Sequence, residues 1–413
     1  MAMDFFGREV SPVALLESAR IARKAIQPIL QWQEELAGLA GHPKAPETPT
    51  SMLLDEIDES IRHLAEAGFQ EILLDPHLSL VSRNTALLHL QAIVRAQLSS
   101  VFPYETEVAE GIIRFKNRVI RTLLKEGNRA DGRSLQQARS EVFKPDFLSQ
   151  VARGSGFYQQ GDQQALSMVT LGPRDPFHEK PLVVTFDALP SSRNSVGRTS
   201  SSPRTQVELG LTIEGILRAV LPETERFGFL PRLSSELLTS DGGPLSATVN
   251  SASLALMSAS VPISTPVLSS SQAVILDDGA HKIIMDPSSL ELTVSDADVT
   301  VSGTKKGLCH TQVKARTRVV PFQVAFEAVD SGIKGFGASL EGLNTQLKDW
   351  HKSSSTPIQG KVDLPIGSRG KVIGLNGTVI RSLESTTGMW PSQFASRTLH
   401  NHVTSFFLFL ALI

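Results

Sequence analysis

Apolar positions recur at helical spacing from Val13 to Gly38, as Leu15, Ala19, Ala22, Ile26, Ile29, Leu30 and Leu36. This spacing predicts one long amphipathic helix, kinked at Pro28. His42 to Ser51, HPKAPETPTS, reads as a linker. Three further helical patterns cover about Met52 to Gly127. The signal then changes to short β-branched runs: Leu166 to Leu171, Leu182 to Phe186 and Leu290 to Val301 are predicted strands. They alternate with helical patterns over Val207 to Leu221, Ala247 to Ser260 and Phe322 to Ser331. Strands and helices mixed in this way indicate an α+β layered domain from Asn128 to about Leu340. Ser353 to Pro357 reads as a hinge before a last segment.

Composition adds limits. A chain of 413 residues with 41% hydrophobic and 20% charged residues can bury ordinary cores in two or three domains. The net charge of -2 gives no global pull toward nucleic acid, so any contact with a polyanion depends on a local basic patch. The single cysteine, Cys309, excludes an intramolecular disulfide and reads as a buried structural thiol. Met1 to Val10 carries Asp4, Arg8 and Glu9 and is not expected to be a signal peptide. Ser405 to Ile413 is apolar but shorter than the roughly 20 residues that span a bilayer, so no membrane partner is expected. The cations along Arg114 to Lys125 fit either a phosphate-facing stripe or, more simply, a solvated helix face. His310 sits in a strand-like run where packing or exposure suffices to explain it, and no Ser-His-Asp or zinc-ligand spacing stands out.

Several separated segments resemble the polynucleotide phosphorylase family. Arg8 to Lys44 is similar to the last helix of that family's first ribonuclease-PH-like core; RADGRSLQQARSEV from Arg129, GSGFYQQGDQQALSMVTLG from Gly154, SELLTSDGGPLSATVNSASLALMSASVPI from Ser235 and SGTKKGLCHTQVKA from Ser302 match its second core in order. KVDLPIGSRGKVIGLNGTVIRSLESTTG from Lys361 resembles the start of a KH domain. The resemblance implies the following organisation: a terminal helix of a missing first core at 1–45, an all-helical domain at 46–127, the second ribonuclease-PH-like core at 128–345, a partial KH RNA-binding module at 358–388 and an unrelated apolar tail at 389–413. The fold class is thus α+β, a ribonuclease-PH-like core preceded by an all-helical domain, with a truncated KH module. Beyond Gly388 neither KH strands nor the family's terminal OB-fold domain are expected.

The family degrades RNA from its 3′ end with inorganic phosphate as co-substrate, using Mg2+ or Mn2+ and assembling as a trimer. This implies RNA and copies of the chain as partners. It also implies a compartment of mitochondrion or plastid in a eukaryote and cytoplasm in a bacterium. Residue by residue, the implied site has drifted. Gly242 and Gly243 keep the phosphate-binding turn, but Gly243, Pro244 and Leu245 stand at three serine positions, so three hydroxyls and one backbone N–H are lost. Asp298 keeps one of two metal-binding carboxylates and the catalytic position; Leu292 replaces the other aspartate and Thr300 the family's lysine. Asp296, two residues from Asp298, either shares a strand face with it and salvages weak metal binding or is a solvated edge carboxylate. Gln206 and Val207 replace an arginine pair, leaving Arg198 and Arg204 as phosphate-binding candidates or ordinary loop cations. The Gly374-Leu375-Asn376-Gly377 turn, with Arg369, Lys371 and Arg381, is the RNA-binding candidate. The expectation is a divergent homologue with little or no phosphorolysis. The alternatives are a non-catalytic RNA-binding or scaffold subunit, or a non-functional truncated product.

Overall fold

The computed structural model describes residues 2–42, 52–102, 105–148, 153–173, 180–193, 203–221, 229–277, 279–316, 319–348, 350, 358–365, 369–387, 389–395 and 403–410. The expected linker at 43–51 and the hinge at 353–357 lie outside them.

The chain opens with a strand that the sequence pattern did not predict, β1 (Met3–Val10), followed by helix α1 (Pro12–Ala40). Ser11 caps α1 by accepting from the Ala14 N–H at 3.2 Å, and Pro12 sits in the first turn where its missing N–H costs nothing. Pro28 lies inside this single helix. Of α1 only Leu15 is fully buried, while Ile21, Ile29, Trp32, Leu36 and Leu39 are exposed.

Helices α2 (Met52–Leu74), α3 (Leu80–Leu98) and α4 (Glu105–Glu126) coincide with the three predicted helical patterns. Ile57, Ile61, Phe69, Leu87, Phe115 and Val119 form their shared core. Of the five cations between Arg114 and Lys125, three are taken up in ion pairs, while Arg114 is exposed as on a solvated face. Arg118 pairs with Asp58 of α2, Arg121 reaches Asp296 at 2.6 Å and Lys125 reaches Asp277. Arg121 also donates to the backbone carbonyls of Leu276 and Val294, so α4 is riveted to the domain that follows.

That domain holds two five-stranded sheets. One contains β2 (Glu141–Pro145), β3 (Gly154–Gln160), β4 (Gln163–Pro173), β5 (Val183–Ala188) and β6 (Phe229–Thr239), in the order β2-β3-β4-β6-β5 with only β5–β6 parallel. The other contains β7 (Leu268–Asp277), β8 (Ala280–Met285), β9 (Ala297–Thr304) and β10 (Gly307–Ala315), in the order β1-β10-β9-β7-β8. Helix α5 (Pro203–Arg218) packs on β5, and α8 (Phe322–Gln346) covers the second sheet.

Helix α6 (Pro244–Ser258) lies between the sheets and is buried on all sides. A helix so enclosed must satisfy every polar side chain it carries. Asn250 donates to Ser269 O and accepts from Ser269 N, Ser253 accepts from Val267 N, and Ser258 accepts from Ser155 N. Its serine-rich sequence is therefore a set of links to both sheets. The close fit explains Gly156: a Cβ there would stand 2.3 Å from the Ser251 carbonyl oxygen.

The run Leu290 to Val301 is not one strand. Ser289–Val294 forms a short helix, α7, and only Ala297–Thr304 is extended. Ser288 and Glu291 close a capping box around the first turn, and this local pairing outweighs the β-branched composition.

In the last segment, β11 (Ile358–Pro365), α9 (Arg369–Ile373), α10 (Thr378–Thr387), β12 (Met389–Ala395) and β13 (Val403–Leu410) follow in sequence. The strands form one antiparallel sheet ordered β11-β13-β12. The expectation that no strands follow Gly388 is thereby corrected: β13 pairs with both β11 and β12. No helix among the described residues is long and apolar enough to cross a membrane.

Candidate functional site

Strand β6 ends at Thr239, and the chain turns through Ser240, Asp241, Gly242 and Gly243 into α6. Gly242 adopts φ +144°, a conformation that side-chain-bearing residues rarely take, and a Cβ there would meet Gln163 at 2.6 Å. Gly243 is the N-cap without a side-chain cap and Pro244 follows in the first turn. Ser246 donates to Gly243 O at 2.9 Å. The turn is clamped from behind: Asp241 accepts from Arg139 at 2.8 Å and from Ser289 N at 3.0 Å. Arg139 in turn grips Asp286 with Nε at 2.8 Å and a second nitrogen at 2.7 Å. Burial works against the charge of Arg139, yet the carboxylates of Asp286 and Asp241 hold it above its ordinary pKa.

The turn opens onto a cavity of about 260 Å³ lined by Gly242, Gly243, Pro244, Leu245, Leu292, Asp298 and Thr300, among others. The structure thus brings together Gly242, Gly243 and Asp298, which the resemblance named as site positions, with Pro244, Leu245, Leu292 and Thr300. A larger groove of about 1250 Å³ runs between α1 and α8, away from Asp298.

Asp298 accepts from Ser295 Oγ at 2.8 Å on one oxygen and from Arg316 Nε at 2.7 Å on the other. Asp296 does not join it. It precedes β9, is 1% exposed, and its carboxylate accepts from Leu276 N at 2.7 Å and Arg121 at 2.6 Å. The shared-face expectation fails because Asp296 belongs to the seam with α4, and it is not a solvated edge carboxylate either. Among the described residues no group of three or more His, Cys, Asp and Glu is placed to hold a metal. With both Asp298 oxygens engaged and Leu292 offering no donor, these residues do not fit the divalent ion that the family resemblance implies.

Arg204 stands exposed at the start of α5; its neighbours Thr205 and Glu208 line the cavity, whereas Arg204 does not. Gln206, at an arginine position, donates to Asp187 at 2.9 Å. Arg198 lies outside the described residues.

The second candidate lies between α9 and α10. Gly374 and Gly377 take φ of +70° and +76°, and Asn376 a left-handed φ of 52°, so the backbone itself turns outward at Leu375, which is 86% exposed. Arg381 donates to Asn376 O at 2.9 Å and braces the turn. Lys371 is exposed beside it, and Arg369 is the first residue of α9.

Two buried groups near β1 answer sequence expectations. Cys309 is fully buried and its thiol is pushed up to about 11 by that burial. His310 is also buried, beside the Phe6 ring, and bonds Asp4 at 3.0 Å. Burial pushes the His310 imidazole below its ordinary value, against the pull of Asp4. Below a pH of about 6.5 the unfolded chain therefore binds a proton that the folded chain refuses. Stability is expected to fall as pH drops through that value toward the lower folded one. Melting temperatures between pH 7.5 and 5.5 check this: His310→Gln should flatten the slope, and an unchanged slope contradicts it.

Residues 137–262 match the 3′ exoribonuclease family, domain 1. The core is ribonuclease-PH-like. Two curated relatives are polyribonucleotide nucleotidyltransferases. One, from Roseiflexus sp. (strain RS-1), is 28% identical over 402 residues, 92% of this chain and 53% of its own length. The other, from Thermus thermophilus, is 29% identical over 403 residues, 91% of this chain and 55% of its own length. The chain spans about half the length of these relatives. Among solved structures, the Archaeoglobus fulgidus exosome with RNA bound to the active site overlays with a TM-score of 0.49 and 19% identity, covering 56% of this chain and 99% of that one. The similarity to polyribonucleotide nucleotidyltransferases agrees with the segments that carried the resemblance.

Asp241, Arg139 and Asp286 position the ribonuclease-PH-like turn, and sequence reasoning missed them. Arg139 lies in the matched run from Arg129, but nothing in its spacing names a carboxylate partner about a hundred residues on.

Proposed function

We propose that this chain is a divergent unit of the phosphorolytic 3′-to-5′ exoribonuclease class that binds RNA and phosphate but turns RNA over weakly at most. The cavity at the start of α6 carries this reading. It gathers the glycine turn and Asp298 as the family chemistry requires, while Pro244, Leu245, Leu292 and Thr300 face it in place of donors and a cation. Phosphorolysis needs an attacking phosphate held beside the terminal phosphodiester and charge stabilisation as the bond breaks. The glycine turn can approach phosphate closely; the groups that would stabilise developing charge are depleted. No step is assigned to a divalent ion. Assembly with other copies of the chain, as a trimer by family resemblance, belongs to the same proposal.

Non-catalytic RNA binding is the second reading, favoured by the Gly374–Gly377 turn between α9 and α10, exposed at Leu375 and Asn376, and by the sheet whose strands β11 and β12 flank the two helices in sequence. A backbone turn of two glycines flanked by Lys371 and Arg381 suits phosphates of single-stranded RNA. Retention of a labelled oligoribonucleotide on filters at two salt concentrations tests it. Binding should weaken steeply with salt. Gly377→Asp, which sets a carboxylate against the phosphates at a φ of +76°, should abolish the α9–α10 contribution. Unchanged retention by that variant refutes the assignment.

A further inference from the structure

The cavity has lost its own hydroxyls and cation, yet neighbouring strands bring both back to it. A Cβ built on Gly243 would stand 2.2 Å from Ser271 Oγ. The Ser271 hydroxyl, from β7, thus occupies the space into which a side chain at 243 would extend. Ser271 lines the cavity and donates to Ser246 Oγ at 3.1 Å.

The cation is displaced in a parallel way. In the antiparallel pair β9–β10, Lys314 stands opposite Asp298, and Gln312 stands opposite Thr300. Directly opposed residues share a face, as do residues two apart on one strand. Asp298, Thr300, Gln312 and Lys314 therefore present one surface, and all four line the cavity. Two cations border it. Arg316 is committed to Asp298, at 2.5 Å at its closest. Lys314 is exposed, and among the described residues no carboxylate pairs with it. Its ammonium is free to meet an oxyanion as a point charge.

We propose that Lys314 supplies the cation of this cavity in place of the residue at 300, and that Ser271 supplies the hydroxyl in place of the residue at 243, together holding a phosphate oxyanion at the start of α6. The assignment rests on the reading of this cavity as the phosphate site. The oxyanion could belong to inorganic phosphate or to the RNA backbone, and the test separates the two.

Calorimetric titration of the full chain at low ionic strength, with inorganic phosphate and separately with a short oligoadenylate, measures the binding. Lys314→Met should weaken at least one of these ligands by about tenfold or more. Ser271→Ala should weaken the same ligand less. Adding Thr300→Lys to Lys314→Met returns an ammonium to the same face and should restore most of the affinity, which a merely structural role for Lys314 would not allow. Which ligand responds identifies the source of the oxyanion. Unchanged affinity for both ligands in Lys314→Met overturns the proposal, as does the absence of binding by the unmodified chain. ADP release from poly(A), measured in parallel, judges the phosphorolytic reading separately. Lys314-independent binding with release near background leaves that reading standing and removes only this assignment; Lys314-dependent binding with robust release keeps this assignment and overturns the reading of weak turnover.

Discussion

Arg129→Ala is expected to destabilise the chain by roughly 3–5 kcal/mol, the cost of breaking a buried ion pair from one side. Arg129 is 2% exposed and meets Glu291 with Nε at 2.8 Å and a second nitrogen at 2.7 Å. Its remaining hydrogens go to the backbone carbonyls of Met285 at 3.0 Å, Gln137 at 3.2 Å, Ser134 at 3.4 Å and Asp286 at 2.8 Å. Alanine would leave a buried carboxylate without its cation and remove the hydrogen bonds to four carbonyls. Because Glu291 also closes the capping box of α7, the loss would spread to Leu292 and the wall of the cavity. Against a typical total stability of about 5–15 kcal/mol, the single variant should unfold at much lower urea or fail to accumulate. Arg129→Met combined with Glu291→Leu removes both charges and should recover part of the loss. A single variant within about 1 kcal/mol of the parent would contradict the structural role given to Arg129.

On the proposed reading, installing the family's hydroxyls, carboxylate and lysine is expected to raise phosphorolysis by at least about a hundredfold, since one positioned oxyanion donor is worth about 10²–10³ in rate. The variant carries Pro244→Ser, Leu245→Ser, Leu292→Asp and Thr300→Lys. Gly243 is left alone: a Cβ there would collide with the Ser271 hydroxyl at 2.2 Å. All four positions line one cavity, so the two hydroxyls and the ammonium would face one bound phosphate, and the aspartate at 292 would return the second metal-binding carboxylate beside Asp298. Phosphate-dependent release of ADP from poly(A), compared with the parent chain, reads the gain. No increase, in a variant that melts like the parent, would mean that the loss of these groups is not what limits the site.

The helices of the second segment were legible because residues such as Ile57, Ile61, Phe69 and Phe115 repeat at helical spacing around one core. The turn at Gly242 and the position of Asp298 were legible through family resemblance, which fixes identity along the chain. What stayed hidden depends on partners distant in sequence. Strand β1 was missed because its partner, β10, lies about three hundred residues away: Phe6 pairs with His310. Asp296 read as a neighbour of Asp298 by spacing alone, while Arg121, on a helix of another segment, draws it out of the site. Lys314 could not be placed beside Asp298 without the β9–β10 register. The helix from Ser289 to Val294 was misread as strand because composition was weighed above the Ser288–Glu291 capping pair.

Whether the unmodified chain catalyses phosphorolysis decides most directly what this cavity does. The measurement is release of ADP from poly(A) by the purified chain with phosphate and Mg2+, beside Asp298→Asn. A rate near background, indifferent to Asp298→Asn, is the predicted result. Robust turnover that Asp298→Asn abolishes would contradict it and show the cavity to be an intact active site.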